Sequence, residues 1–125
     1  MSHVVTVRTR VRDPAALAAA CRRLGLAEPA HGTAELFAGQ RATGLVVRLP
    51  GWTYPAVVEP ATGEVRYDTY GGAWGSQSEL DKLLQAYAVE KARAEARRAG
   101  HAVAEQRLAD GSIRLTIAVG NGGAA

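Results

Sequence analysis

The chain has 125 residues, 47% of them apolar and 22% charged, and its formal net charge is +3. This composition suits one compact domain whose core needs no disulfide or metal to fold. Cys21 is the only cysteine, which excludes an internal disulfide and a multi-cysteine zinc site. The sequence contains no apolar run long enough to span a membrane and no signal-peptide pattern. We therefore expect a cytoplasmic protein without a membrane partner.

The first predicted elements are a strand and a helix. Residues 3–11 alternate so that valines share one face of a strand, while Arg8 and Arg10 share the other. Asp13 followed by proline is typical of a helix N-terminus, and the glycine after residue 24 is typical of a helix end. We therefore expect a helix over residues 14–24, with Cys21 buried on its apolar side.

The middle of the chain is predicted to be an antiparallel meander. A short strand is expected over residues 35–38, and clearer apolar alternation predicts strands over residues 44–49, 52–59 and 65–68. Pro55 indicates an edge position or a bulge in the third of these strands. Turns rich in glycine and proline separate the segments.

A second helix and a hairpin complete the predicted elements. Ser76 and Glu79 have the spacing of a capping box, which predicts a helix over residues 77–99. An Asp-Gly pair then separates strands over residues 102–108 and 112–119, and this pair is a strong hairpin signal.

These elements predict an α+β fold: a single antiparallel sheet with two helices packed on one face, loosely ferredoxin-like. We expect one domain over residues 1–119 and a flexible tail over residues 120–125.

Several short motifs follow one another along the chain in an order that resembles a known family. They are "MSH", "LAAACRRLG", the strand that begins at Trp52, the segment from Tyr67 to Trp74, "LLQAYA", "GHAV" and "DGSIRLTI". The chain resembles the uncharacterised hypothetical chloroplast open reading frame 35 family, also called domain of unknown function 1257. The match covers nearly the whole chain but weakens over residues 27–44. The resemblance implies no established enzymatic activity, and it points to an AAA-type ATPase as a partner because of gene proximity.

The sequence contains no recognisable catalytic or metal-binding motif. It has no nucleophile elbow, no phosphate loop and no dinucleotide fingerprint. The histidines are far apart and form no zinc-ligand spacing. His3 is expected to hydrogen-bond locally at a strand end, although its place in "MSH" leaves a functional role open. We therefore predict that the protein is not an enzyme and has no cofactor and no metal.

Five aromatic residues lie close together in the sequence between positions 52 and 74. They form either a core with its lid or an exposed patch that docks a partner, since Trp and Tyr are frequent interface anchors. Under the second interpretation Trp52 and Trp74 are partner-binding residues. The full set is Trp52, Tyr54, Tyr67, Tyr70 and Trp74.

Arginines recur at even positions of the predicted strands. If the helices cover the odd face, the even face is open and basic. Either the positive charge of this face is offset by Asp68, Glu59 or Glu105 across strands, or the face binds an acidic partner. The predicted binding residues are Arg8, Arg10, Arg48, Arg66 and Arg114.

The favoured function is a small non-enzymatic adaptor or accessory domain that binds an acidic protein through this arginine face. The alternative is a single-stranded nucleic-acid-binding domain, which normally presents aromatic residues on the open face of its sheet for base stacking. The even face has threonine and aspartate instead, so an acidic protein is the preferred partner. The sequence does not predict an oligomeric state.

Overall fold

The computed structural model describes residues 5–8, 10–70 and 72–119, with only the backbone described for residues 5–8. His3 and the predicted tail lie outside these residues. Within them the chain forms two helices, seven strands and one 3-10 turn. In chain order the elements are β1 (Val5–Arg8), α1 (Pro14–Arg23), β2 (Ala30–Glu35), the turn Phe37–Gly39, β3 (Arg41–Val47), β4 (Ala56–Glu59), β5 (Glu64–Tyr67), α2 (Gln77–Arg98), β6 (Ala102–Arg107) and β7 (Ile113–Ala118).

The described strands form a five-stranded antiparallel sheet and a separate two-stranded sheet. The order in the larger sheet is β1-β5-β4-β3-β2, while β6 pairs only with β7. The fold is therefore α+β, but the expected single sheet is wrong. The ferredoxin-like arrangement is not confirmed either, because no described strand after α2 joins the larger sheet.

Both helices pack on one face of the five-stranded sheet, as predicted. Leu17 and Cys21 of α1 and Leu80 and Leu83 of α2 share one buried cluster with the strand residues of that face, including Val65. Alternation along each strand explains the pattern, since side chains on one face recur every second residue.

The second face of the larger sheet is covered in part. Val57 is buried there with Leu36 and Ala42. In the strand register, however, Val57 lies opposite Val46, which is four residues after Ala42 in β3. The tip of the β2–β3 hairpin therefore bends over this face. Gly44 lies at the bend, and a Cβ at this position would overlap the carbonyl oxygen of Val58.

Side-chain hydrogen bonds fix both helix starts. Asp13 Oδ1 accepts from the N–H groups of Ala15 (3.0 Å) and Ala16 (3.2 Å), which confirms the predicted cap. Ser76 Oγ accepts from the Ser78 N–H at 3.3 Å, whereas Glu79 pairs with a lysine on its own helix instead of returning to the cap. Ser76 therefore caps the helix through the Ser78 N–H and not through the Glu79 N–H, so the reciprocal Ser76–Glu79 pairing of a capping box is not formed between these described residues.

A cluster of ionic groups attaches the β6–β7 hairpin to the helices. Arg23 of α1 donates to Glu90 of α2 (Nε, 2.7 Å) and to both carboxylate oxygens of Glu105 of β6 (2.9 and 2.7 Å). Arg93 of α2 also donates to Glu105, at 2.8 Å. These bonds lower the pKa of the Glu105 carboxyl, and the bond from Arg23 is the largest cause.

Strand positions in the middle of the chain differ from those predicted. The sequence predicts a strand over residues 35–38, but β2 ends at Glu35. The residues after it form a turn in which Ala38 and Gly39 have positive φ values of 61° and 76°. Residues 52–55 are not a strand, and β4 begins at Ala56. The small residues of β2 have low strand propensity, so the sequence did not indicate this strand. Trp52 and Tyr54 have high strand propensity and wrongly indicated a strand before β4.

Candidate docking surface

The structure does not bring the five predicted arginines onto one face. Arg114 lies in the separate sheet, and Arg10 lies beyond the end of β1. Arg8 is opposite Glu64 in the register, and its side chain is outside the described residues. Arg66 forms ion pairs with Glu59 (2.8 Å) and Glu64 (3.5 Å). The five arginines therefore do not form one face, and whether any of them binds a partner stays a prediction.

The predicted charge offset is correct for one of its three acidic residues. Glu59 pairs with Arg66, as that alternative required. Asp68 is only 2% exposed and accepts the Tyr70 N–H, while Glu105 belongs to the hairpin cluster.

Arg48 is the predicted arginine with an accessible setting beside aromatic residues. It is exposed and lines a groove of about 430 Å³ beside β2, together with Val46, Tyr54 and Glu35. No ion pair is found for Arg48 within the described part of the chain. Its guanidinium is therefore available to a carboxylate from outside.

Four aromatic side chains form a cluster next to this groove, which we call the aromatic surface: Phe37, Tyr54, Tyr70 and Trp74. The ring centroid of Trp74 lies 4.8 Å from Phe37, 4.8 Å from Tyr70 and 5.6 Å from Tyr54. Tyr70 is stacked on Trp74 with an interplanar angle of 23°. Tyr70 and Phe37 remain 44% and 38% exposed, so this cluster presents apolar ring surface to solvent.

Trp52 belongs to the scaffold that holds Trp74 and is not part of the aromatic surface. Its ring lies 5.3 Å from Tyr67 and its Nε1 donates to the carbonyl of Ser76 at 3.0 Å. A Cβ on Gly75 would come within 2.7 Å of the indole, so the backbone lies flat on this ring. The Thr53 N–H donates to the carbonyl of Trp74 at 2.8 Å. Trp52 therefore fits the core interpretation, the other rings include exposed ones, and the docking of a partner stays a prediction.

Left-handed backbone occurs at Tyr70 and directly after Phe37. Tyr70 has a φ of 51°, and Ala38, directly after Phe37, has a φ of 61°. A bulky residue in the left-handed region is unusual and costs on the order of 1–3 kcal/mol, and such strain concentrates at binding sites. The buried Asp68 carboxylate holds the Tyr70 N–H at 3.0 Å and so supports this conformation.

Sequence reasoning missed Phe37 as a site residue. It is the only phenylalanine in the chain. A Leu-Phe pair ahead of Ala-Gly, in a segment of otherwise small and polar residues, was the available signal.

Other candidate sites have simpler explanations. Cys21 is fully buried, and burial raises the pKa of its thiol, so it is a core residue. Among the residues that the structure describes, no three His, Cys, Asp or Glu side chains could together hold a metal ion. A groove of about 520 Å³ beside α2 is bordered by Lys91, which already bonds Asp13 (3.1 Å) and Glu95 (3.5 Å).

Comparisons of the chain with protein-family models, curated proteins and solved structures found no match. Neither described helix is both long and apolar enough to cross a membrane.

Proposed function

We propose that the protein is a small non-enzymatic adaptor or accessory domain that binds a protein partner through the aromatic surface and Arg48. The observation that supports this most is the stack of Tyr70 on Trp74, with Tyr70 itself in a left-handed backbone conformation. Rigid aromatic side chains are common interface anchors because they bury large areas at little cost in conformational entropy.

Arg48 indicates that the proposed partner is acidic at the contact. An apolar side chain of the partner packs on the exposed rings, and a neighbouring carboxylate pairs with the guanidinium. Arginine suits this role because its planar fork binds a carboxylate with two hydrogen bonds. The family resemblance, which stays a prediction, points to an AAA-type ATPase as the partner.

A second candidate function is the binding of single-stranded nucleic acid. The outer ring of Tyr70 could stack on a base, and such stacking tolerates any sequence. A strand binder also needs several cations along the backbone path. Arg48 is the one arginine or lysine among the described residues that line the groove, and Arg66 is already paired, so an acidic protein segment, which needs only a single cation, is favoured.

The two indole N–H groups provide an internally controlled test. In a ¹H–¹⁵N spectrum Trp52 and Trp74 give one side-chain signal each, and a Trp74→Phe variant assigns them. Peptides selected from a random displayed library should shift the Trp74 signal and leave the Trp52 signal in place. The selected sequences should combine an apolar residue with Asp or Glu.

Charge reversal completes the test. Arg48→Glu should abolish binding of the selected peptides, whereas Arg114→Glu, an equally exposed control in the separate sheet, should retain it. Equal binding by both variants would refute the role of Arg48. Salt-sensitive binding of generic oligonucleotides at Trp74, without peptide binding, would support the nucleic-acid function instead.

A further inference from the structure

β2 is an edge strand with an unprotected row of backbone groups. Within the described residues it pairs only with β3, in a continuous register from Ala30 to Glu35. Natural edges are normally blocked by lysine, proline, a bulge or a covering segment. β2 has the sequence AHGTAE, with no lysine and no proline, and its continuous register contains no bulge.

The backbone groups that face outward can be identified from the hairpin closure. The Leu36 N–H donates to the carbonyl of Gln40, so residue 36 directs its backbone groups towards β3. Hydrogen-bonded pairs alternate along an antiparallel ladder. The even-numbered residues of β2 therefore bond to β3, while His31, Thr33 and Glu35 direct their N–H and C=O groups to the open edge.

We propose that this edge binds the same edge of a second copy of the chain, which makes a two-fold symmetric dimer with one continuous sheet. An antiparallel pairing centred on Thr33 places it opposite its own symmetry mate and uses all the outward groups in six intermolecular hydrogen bonds. A pairing centred on either neighbouring outward residue leaves some of them unpaired. A two-fold interface of this kind is self-complementary by construction.

The same register is complementary in hydrogen bonding. It places His31 of each chain directly opposite Glu35 of the other, on the same face of the sheet, where an imidazole N–H can donate to the carboxyl group. The centre is a row of hydroxyls, because Thr33 Oγ1 lies 2.8 Å from Thr43 Oγ1 within each chain. Threonine pairs are favourable across strands. On the other face the residues are Ala30, Gly32 and Ala34, which leave the approach unobstructed.

Sedimentation of the whole chain tests the dimer directly. Wild type should shift with rising concentration from the 13.1 kDa monomer towards twice that mass. Thr33→Lys puts two cations opposite each other at the centre and should abolish the shift. Thr116→Lys is the matched control, because Thr116 is an exposed strand threonine of the separate two-stranded sheet, and it should leave the shift intact.

Cross-linking tests the register. Cα atoms of a hydrogen-bonded antiparallel pair are about 5.5 Å apart, which is within disulfide reach. Thr33→Cys should therefore form a disulfide-linked dimer on mild oxidation, whereas Thr43→Cys should not. Cys21 is buried and does not compete. His31→Glu should weaken the dimer roughly tenfold through two like-charge pairs, and adding Glu35→Gln should restore it.

A wild type that stays monomeric at every concentration would overturn the proposal. So would a dimer that survives Thr33→Lys, or one in which both cysteine variants cross-link equally.

Discussion

Replacing Arg23 with Gln tests the ionic cluster that attaches the β6–β7 hairpin to the helices. The guanidinium makes three charge-assisted hydrogen bonds, one to Glu90 and two to Glu105. Its side chain is 24% exposed. Gln has a similar helix propensity, so the change removes the bonds without disturbing the end of α1.

The expected loss lies between two limits. Hydrogen bonds to charged groups contribute about 1.5–3 kcal/mol each when well buried, whereas exposed ion pairs contribute about 0.2–1 kcal/mol. Because the cluster is partly exposed, we expect Arg23→Gln to lower the free energy of unfolding by about 2–3 kcal/mol. Arg22→Gln is the matched control, since Arg22 is 64% exposed and 3.8 Å from Glu28. We expect it to cost less than about 0.5 kcal/mol.

Equilibrium urea unfolding measures both losses, and native-state hydrogen exchange locates them. Amides of β6 and β7 should exchange faster in Arg23→Gln than in wild type. For amides of β4, the change in the free energy of opening should be no larger than the change in global stability. The difference between the two variants should shrink at high salt. Equal, small losses in both variants would show that the hairpin does not depend on Arg23 and that the Arg93–Glu105 pair and packing contacts suffice.

Three further predictions concern the β1–α1 junction and the bend of β3. Tyr87→Phe should lower the free energy of unfolding by about 1–3 kcal/mol, because the hydroxyl accepts two backbone N–H bonds ahead of α1 (3.2 and 3.1 Å). Urea unfolding measures this loss, and the ring itself is kept. Gly44→Ala should cost about 1–3 kcal/mol or more by thermal unfolding, since the new methyl group overlaps the backbone of β4. The hydrogen bond from Lys91 lowers the pKa of the Asp13 carboxyl below its ordinary value of 3.8, with help from the Ala16 N–H. This stabilisation is complete above pH 3.8 and is lost as the pH falls through the lowered pKa, so the stability advantage of wild type over Asp13→Asn should shrink below about pH 4.

Local signals predicted the helices and the final hairpin well. Asp13 caps α1 and Ser76 caps α2, as their positions before apolar periodic segments indicated. The Asp-Gly turn joins β6 to β7 as expected. Each of these features depends on neighbours within a few residues, which is the range that a single sequence reports.

Pairing between distant segments was not predictable in the same way. The period-two pattern of β7 assigns one apolar face to the strand, but it does not say what covers that face. The structure places Glu105 of β6 against α1 and α2, so the hairpin packs on the helices and not in the larger sheet. Nothing near Glu105 in the sequence identifies Arg23, 82 residues away, as its partner.

The candidate site was predicted in part for the same reason. Trp74 and Arg48 were identified because aromatic and arginine side chains are distinctive anywhere. Arg66 and Arg114 share that chemistry, yet one is neutralised by Glu59 and the other lies in the separate sheet. Residue type suggests a role, but only tertiary structure decides whether a charge is available.

The bend at Gly44 links the wrong prediction to the proposed site. β3 pairs with β4 only from Leu45 onward, so the hairpin beyond this point is free to fold over the second face of the sheet. That fold buries Val57 and covers part of the face that the arginine hypothesis needed. It also carries the tip of the hairpin, with Phe37, to within 4.8 Å of Trp74. Gly44, which has no distinctive sequence context, permits the close approach to the Val58 carbonyl on which this arrangement depends.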